Sequence, residues 1–326
     1  MDNMDFWFTE YHTKNARFSI QIDKHVISRK SEFQRIDVFD SYTFGRILVL
    51  DGFLMLTEKD EFIYHEMMTH VPMAVNPKIS DVLVIGAGDG GVVRELVKYD
   101  SIKRIDMVEI DKMVVDICRE HLPQTACKLD DPRVRIYYED GLKFVRTKYN
   151  EYDLIIVDST DPIGPGEELF TREFYENCCK ALNVSGIMVN QHESPYYPDD
   201  AQVMQRAHRH IKSIFPMALV YQAHVPTYPS GHWLFGFASK SLHPITDLKP
   251  GWDCLGLKTR YYNTELHKDV SLCRHMLRNS WKTPDRNIES KYKSYDLEDI
   301  KFKVVGFRNI PKDRMIRSLL TRFNLP

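Results

Sequence analysis

The chain runs to 326 residues, 43% of them hydrophobic, with a formal net charge of -2 at pH 7. That length supports one large core-bearing domain with smaller additions, and the balanced charge excludes a field strong enough to make nucleic acid or a membrane surface the main partner. A small-molecule substrate is the default that remains.

The opening stretch "MDNMDFWFTEYH" carries acids where a secretory leader needs a basic region, and no apolar run approaches the ~20 residues of a membrane span. Six cysteines (Cys118, Cys127, Cys178, Cys179, Cys254, Cys273) are scattered without paired spacing and read as reduced thiols, so a cytoplasmic protein is expected. From about Phe18 to Thr57 the runs "RFSIQI", "FQRIDVFDS", "GRILVLDG" and "FLMLT" are broken by Asp, Ser and Gly turns, which predicts a small antiparallel sheet. From Asp60, "DEFIYHEMMTHVPMAV" has apolar residues at helical spacing and is closed by Pro77.

Beyond Pro77, strand-like runs ("DVLVIGAG", "RIDMVEID", "RVRIYYEDG", "YDLIIVDS", "GIMVNQHE", "HWLFGFAS") alternate with helix-like ones. The alternation predicts an α/β fold, a doubly wound and mainly parallel Rossmann-like sheet, with ligands at the carboxyl ends of its strands. Past Trp281 the composition turns rich in Lys and Arg. The expected domains are therefore an N-terminal β domain (1–59), a catalytic domain (60–281) and a basic C-terminal extension (282–326), the last an added packing or oligomer-contact element dispensable for chemistry.

The strand ends carry the candidate residues. "VLVIGAGDGGVVREL" is a strand, a glycine turn and a helix start, with Gly86, Gly88 and Gly91 in the G-x-G-x-x-G spacing that dehydrogenases, flavoproteins and methyltransferases share. Glu109 ends the second strand at the offset of a ribose-binding acid, and Asp140, before Gly141, ends the third, placed to accept from an adenine amino group. Acids ending three successive strands would be costly if partly buried and unpartnered, which favours a nucleoside site over solvated charge. Asp89, inside the glycine turn, would repel a pyrophosphate or an amino-acid carboxylate and attract an ammonium. The expected ligand thus joins adenosine to a cationic tail that lacks a carboxylate.

"YDLIIVDSTDPIGPGEELF" ends a buried strand in Asp158 and Asp161 and breaks into a Pro/Gly loop, expected to act as a lid from Ser159 to Leu169. Two carboxylates can hold ammonium groups, and one can take the proton from an attacking amine, whose pKa near ~10 otherwise leaves it without a lone pair at neutral pH. For Asp161 taken singly, capping or solvation is the alternative. His208 and His210, two apart on a predicted helix, do not share a face, and no metal site is expected.

At these residues the chain resembles the polyamine aminopropyltransferases: "LVLDG", "DEFIYHEM", "GAGDGG", "VEID", "EDG", "DSTDPIGP", "QHESP" and "PTYPSG" run in family order between Phe6 and Asp269. The resemblance implies a class I methyltransferase-like fold and transfer of the aminopropyl group of decarboxylated S-adenosylmethionine, a co-substrate, to an amine, usually putrescine. No cofactor or metal is implied, and a homodimer or homotetramer is expected. By motif, Gln34, Asp89, Glu109, Asp140 and Gly141 would hold the donor; Asp158, Tyr64 and Asp161 would be catalytic; and His65, Gln191, Glu193 and Tyr228 would hold the acceptor. Met55 stands where the family often has a donor-site glutamine. The alternatives are a methyltransferase using S-adenosylmethionine, against which Asp89 argues, and a non-catalytic polyamine-binding protein.

Overall fold

The computed structural model describes residues 5–159 and 168–270, all within the unit Met1–Trp281. Asp161, most of the lid segment (160–167) and the extension 282–326 lie outside the described residues.

Five strands, β1 (Phe6–Glu10), β2 (Phe18–Lys30), β3 (Arg35–Ser41), β4 (Gly45–Leu50) and β5 (Phe53–Thr57), form an antiparallel sheet in that spatial order. β4 and β5 are joined at Asp51 (φ 49°) and Gly52 (φ 89°), an Asp-Gly pair suited to a tight hairpin whose two central residues both need positive φ. Alternation then divides the sheet's faces. Ile47, Val49 and Leu54 pack with Ile20 and Ile22 in a local cluster, whereas Leu48, Leu50, Leu56, Ile36 and Val38 join the main core. Strand β1 was not anticipated from the sequence: Phe6 and Trp7 are 62% and 57% exposed, so this edge strand carries no clear buried-face alternation.

Helix α1 (Glu61–Val75) follows, packed against later elements so closely that every residue in it except Phe62 is buried. Its polar residues, Glu61, His65, Glu66, Thr69 and His70, are therefore inside the protein and must find partners there.

The second sheet has seven strands, β6 (Asp81–Gly86), β7 (Arg104–Val108), β8 (Val134–Tyr137), β9 (Tyr152–Asp158), β10 (Leu182–Gln191), β11 (Met217–His224) and β12 (His232–Ser239), in the order β11-β12-β10-β9-β6-β7-β8. β6 to β10 are mutually parallel, and β12 runs antiparallel to both its neighbours. The intervening helices are α2 (Gly91–Leu96), α3 (Lys112–His121), α4 (Pro123–Ala126), α5 (Gly141–Arg146), α6 (Arg172–Ala181) and α7 (Pro198–Ile214), with α8 (Thr264–Val270) following β12. Strand order reverses between β6 and β9, where the connections diverge and leave a crevice. In register, Gly86 of β6 lies opposite Asp158 of β9, so glycine turn and candidate base open into the same crevice. One expectation needs correcting: β8 ends at Tyr137, and Asp140 is instead the N-cap of α5, accepting from the backbone N–H of Leu142 at 2.8 Å and of Lys143 at 3.3 Å.

Candidate active site

A cavity of about 490 Å³ lies between the β4–β5 hairpin, α1 and the carboxyl ends of β6, β7 and β9. Of the expected residues, Gln34, Tyr64, His65, Asp89, Glu109, Asp140, Gly141, Asp158, Gln191 and Tyr228 all line it.

The glycine turn explains why these groups can converge. Gly86 has φ +85°, and a Cβ there would sit 2.0 Å from the backbone oxygen of Asp158, which also accepts from the Ala87 N–H at 3.0 Å. Only glycine lets β6 and β9 close on each other at this point. A Cβ on Gly88 would come within 3.0 Å of Glu109 Oε2, and one on Gly91 within 2.2 Å of His65 Cε1. The three glycines therefore make room for a strand-end carbonyl and two polar side chains.

On the nucleoside side, Glu109 Oε1 accepts from the Asp111 N–H at 2.9 Å. Burial, only partly offset by that bond and reinforced by the charges of Asp111, Asp158 and Asp89, pushes the Glu109 carboxyl up to about 7. Gln34 reaches the cavity from the N-terminal sheet and donates to Asp111 Oδ2 at 3.0 Å, which also accepts from Ser31 at 2.6 Å. Asp111 thus caps α3 with one oxygen and clips the two sheets together with the other.

On the reacting side, Tyr64 donates its hydroxyl to Asp158 Oδ1 at 2.7 Å, while Oδ2 is buried with no hydrogen bond among the described residues. Burial, then the nearby Asp89 charge, raises Asp158 to about 6 against the opposing effects of His65 and the Tyr64 bond. Asp89 goes the other way. Burial alone would raise it, but His65, the Gly91 N–H (2.8 Å) and Arg94 hold it below the usual carboxylate range. Tyr64 is held well above the ordinary phenol range, chiefly by burial and by the Asp158 charge, and stays a neutral donor.

The family models match this architecture. The one described as the spermine/spermidine synthase domain covers residues 61–250, and the one described as the spermidine synthase tetramerisation domain covers 6–58, the five-stranded sheet. The chain is 69% identical over 265 residues to a polyamine aminopropyltransferase of Alkaliphilus oremlandii, spanning 81% of this chain and 93% of the relative. It is 68% identical to one of Clostridium perfringens, spanning 81% and 94%. The chain belongs to the spermine/spermidine synthase family. Among solved structures, a spermidine synthase in complex with the transition-state analogue AdoDATO superposes with a TM-score of 0.83 at 39% identity, covering 86% of this chain and 96% of that one. The spermidine synthase of Thermotoga maritima gives 0.81 at 40% identity, covering 85% and 94%. The protein is thus a transferase of polyamine biosynthesis, an aminopropyltransferase.

Within this aminopropyltransferase two expected acceptor contacts sit differently. His65 turns Nδ1 to Glu61 at 2.5 Å and Nε2 to Asp89 at 3.3 Å. A carboxylate oxygen beside each nitrogen favours the imidazolium, raised to about 10 as Asp89 and Glu61 overcome its burial. His65, Asp89 and Asp158 bring ligand atoms within 4.8 Å of one another. Glu193 is not among the lining residues; it stands behind Gln191, whose side-chain amide donates to it at 3.0 Å, with its backbone in the left-handed region at φ +68°. Tyr228 donates to the carbonyl of Met55, another lining residue, at 2.7 Å.

Glu10, His12 and Trp233 are among the lining residues that escaped the sequence reading. Glu10 is 3% exposed and accepts from the Leu54 N–H at 2.8 Å, His12 bridges Glu10 (3.4 Å) and Asp200 (2.9 Å), and the Trp233 indole N–H has no hydrogen-bond partner. A buried acid closing the "FWFTE" run was the available signal for Glu10. Among the described residues no helix is long and apolar enough to cross a membrane.

Proposed function

We propose that this enzyme moves the aminopropyl group of decarboxylated S-adenosylmethionine to putrescine, giving spermidine and 5′-methylthioadenosine. The observation that carries the reading is the pairing of Tyr64 with Asp158 at 2.7 Å beside an ionised Asp89. Asp89 attracts the donor's ammonium and disfavours the carboxylate of S-adenosylmethionine, which counts against a methyltransferase. Glu109 takes the ribose hydroxyls, Gln34, Asp140 and Gly141 the rest of the nucleoside, and Gln191, backed by Glu193, faces the far end of the amine with Tyr228.

The reaction is a direct displacement. The amine nitrogen, its proton passing to the free Oδ2 of Asp158, attacks the aminopropyl methylene carbon bonded to sulfur; that C–S bond breaks and its electron pair returns to sulfur, which becomes the neutral thioether of 5′-methylthioadenosine. The sulfonium is already a good leaving group, so alignment and a neutral nucleophile are the protein's main contributions. Assembly into a homodimer or homotetramer through the N-terminal sheet, where Phe6 and Trp7 expose an apolar edge strand, completes the proposal, with the cytoplasm as compartment on the strength of the free cysteines.

The test is incubation with decarboxylated S-adenosylmethionine and a panel of putrescine, cadaverine, agmatine and spermidine, reading products by mass. Spermidine from putrescine as the fastest product supports the reading. Faster use of another amine overturns the acceptor assignment, and methyl transfer from S-adenosylmethionine overturns the reaction.

A further inference from the structure

Glu61 and Arg94 have no place in the displacement just described, yet both are joined to it. Arg94 grips Glu61 bidentately, Nη1 to Oε1 and Nη2 to Oε2, each at 2.9 Å. Glu61 Oε2 takes His65 Nδ1 at 2.5 Å, and His65 Nε2 reaches Asp89 Oδ1 at 3.3 Å. Glu61 and His65 are 5% and 3% exposed. The outer end is anchored too, since Arg94 also donates to Glu95 at 3.0 Å and to the Gln124 carbonyl at 2.9 Å. The order is cation, anion, cation, anion, leading from α2 through α1 into the glycine turn. Gly91 provides the space in which the imidazole lies, as the 2.2 Å approach of a notional Cβ shows.

We infer that Glu61 and Arg94 are positioning residues for the transfer: through His65 they fix Asp89 as a permanent carboxylate, so that of the two acids facing the reaction, Asp158 and not Asp89 takes up and releases the proton. The inference rests on the function proposed above and adds residues to it. The physical reason is that two carboxylates sharing a dry site compete for one proton, and the winner is decided by which of them the fixed cation touches. His65 faces Glu61 and Tyr64 on its own helix, Asp89 on the glycine turn and, at longer range, Asp158 on β9; Asp89 in turn feels Asp158, Glu109 and Arg94. Remove the charge on Glu61 and the imidazolium loses one of its two anions. The ring then sheds its proton at lower pH, and with it goes the cation that keeps Asp89 and Asp158 apart in proton affinity.

Glu61→Gln keeps the shape and removes the charge. The expected result is a pH-dependent defect in kcat/KM for the amine, roughly tenfold at about pH 6 and twofold or less at about pH 9, because a base of raised proton affinity is restored by alkali. Arg94→Met should move the profile in the same direction, and Arg94→Lys should recover most of it. Imidazole nitrogen NMR on histidine-labelled enzyme reads the charge directly: His65 is expected as imidazolium at about pH 8.5 in the wild type and neutral there in Glu61→Gln. A neutral wild-type ring overturns the inference whether or not any variant folds. A Glu61→Gln loss that is equal at every pH, or an unmoved profile, also overturns it. A wild type inactive toward every amine would instead remove the proposed function, while the NMR arm would still decide the charge chain.

Discussion

Tyr64→Phe isolates a single hydrogen bond at the reacting carboxylate. The ring keeps its packing against Phe235 and Tyr228, with centroids 5.3 and 6.1 Å away, and loses only the hydroxyl that donates to Asp158 Oδ1 at 2.7 Å. A hydrogen bond to an ionised group contributes about 1.5–3 kcal/mol, and one pH unit of proton affinity corresponds to about 1.4 kcal/mol. Asp158, held at about 6 by burial and by Asp89, should therefore rise to roughly 7–8 without its donor. At pH 7 its ionised fraction falls from about nine-tenths to between about one-half and one-tenth, so kcat/KM falls about two- to tenfold and recovers near pH 9. The sign follows from the charge: the bond favours the carboxylate, so its loss favours the acid and moves the acidic limb upward. The assay is spermidine formation by mass across the pH range, with wild type alongside. An acidic limb that does not move, or a loss of the same size at every pH, would mean that Tyr64 acts by packing or by contact with the substrate, and would refute the coupling derived from the geometry.

Three further outcomes are expected. Glu109, raised to about 7 mainly by burial, should lose its proton when ribose hydroxyls donate to it, so 5′-methylthioadenosine binding near pH 6.5 should release up to about one proton, fading above pH 8. Calorimetry in two buffers of different ionisation heat reads this, and identical heats would remove Glu109 from the ribose. Asp89→Asn should weaken the decarboxylated donor roughly tenfold and narrow its advantage over S-adenosylmethionine, both measured by calorimetry; an unchanged ratio of affinities would place selectivity elsewhere. Gly86→Ala forces a side chain into φ +85° and to 2.0 Å from the Asp158 backbone oxygen, so it should lower stability by more than the about 1–3 kcal/mol of backbone strain alone, and a wild-type melting temperature would contradict the close approach.

What the sequence disclosed and what it hid divide along physical lines. Asp89, Glu109 and Asp158 were legible because each stands at or just past the end of a parallel strand, or inside a glycine turn that follows one, and strand ends at a reversal in strand order converge wherever the rest of the chain goes. Asp140 was legible as a residue of the cavity but not as a cap, because β8 stops after four residues and two residues then intervene before Asp140. Residues that meet only in space left no such trace. Glu61 and Arg94 are separated by 33 positions, and nothing in "DEFIYHEM" distinguishes a buried acid with a guanidinium on it from an ordinary first-turn glutamate. His65 was legible as a residue of the cavity, but its motif does not reveal that both nitrogens face carboxylates. Strand β1 with Glu10 was missed because its exposed aromatics hide the alternation that elsewhere marked strands.

The splitting of the two reacting acids also bears on how substrate changes the site. Asp89, Glu109 and Asp158 stand close enough to perturb one another, with His65 the buried cation that touches one of them directly. Burying several carboxylates together costs several kcal/mol each unless cations or hydrogen bonds compensate, and two of these three respond by retaining protons to near neutrality. On the proposed reading, the donor brings an ammonium to Asp89 and hydroxyl donors to Glu109. The ammonium offsets the Asp89 charge that raises the proton affinity of Asp158, so a filled donor site presents an ionised base to the amine that follows. The amine's own affinity for its proton falls as it leaves water for the same cavity. Base and nucleophile are thereby brought into their reactive forms by the two binding events, which is why the site tolerates, when empty, a set of charges that would otherwise be a defect in the fold.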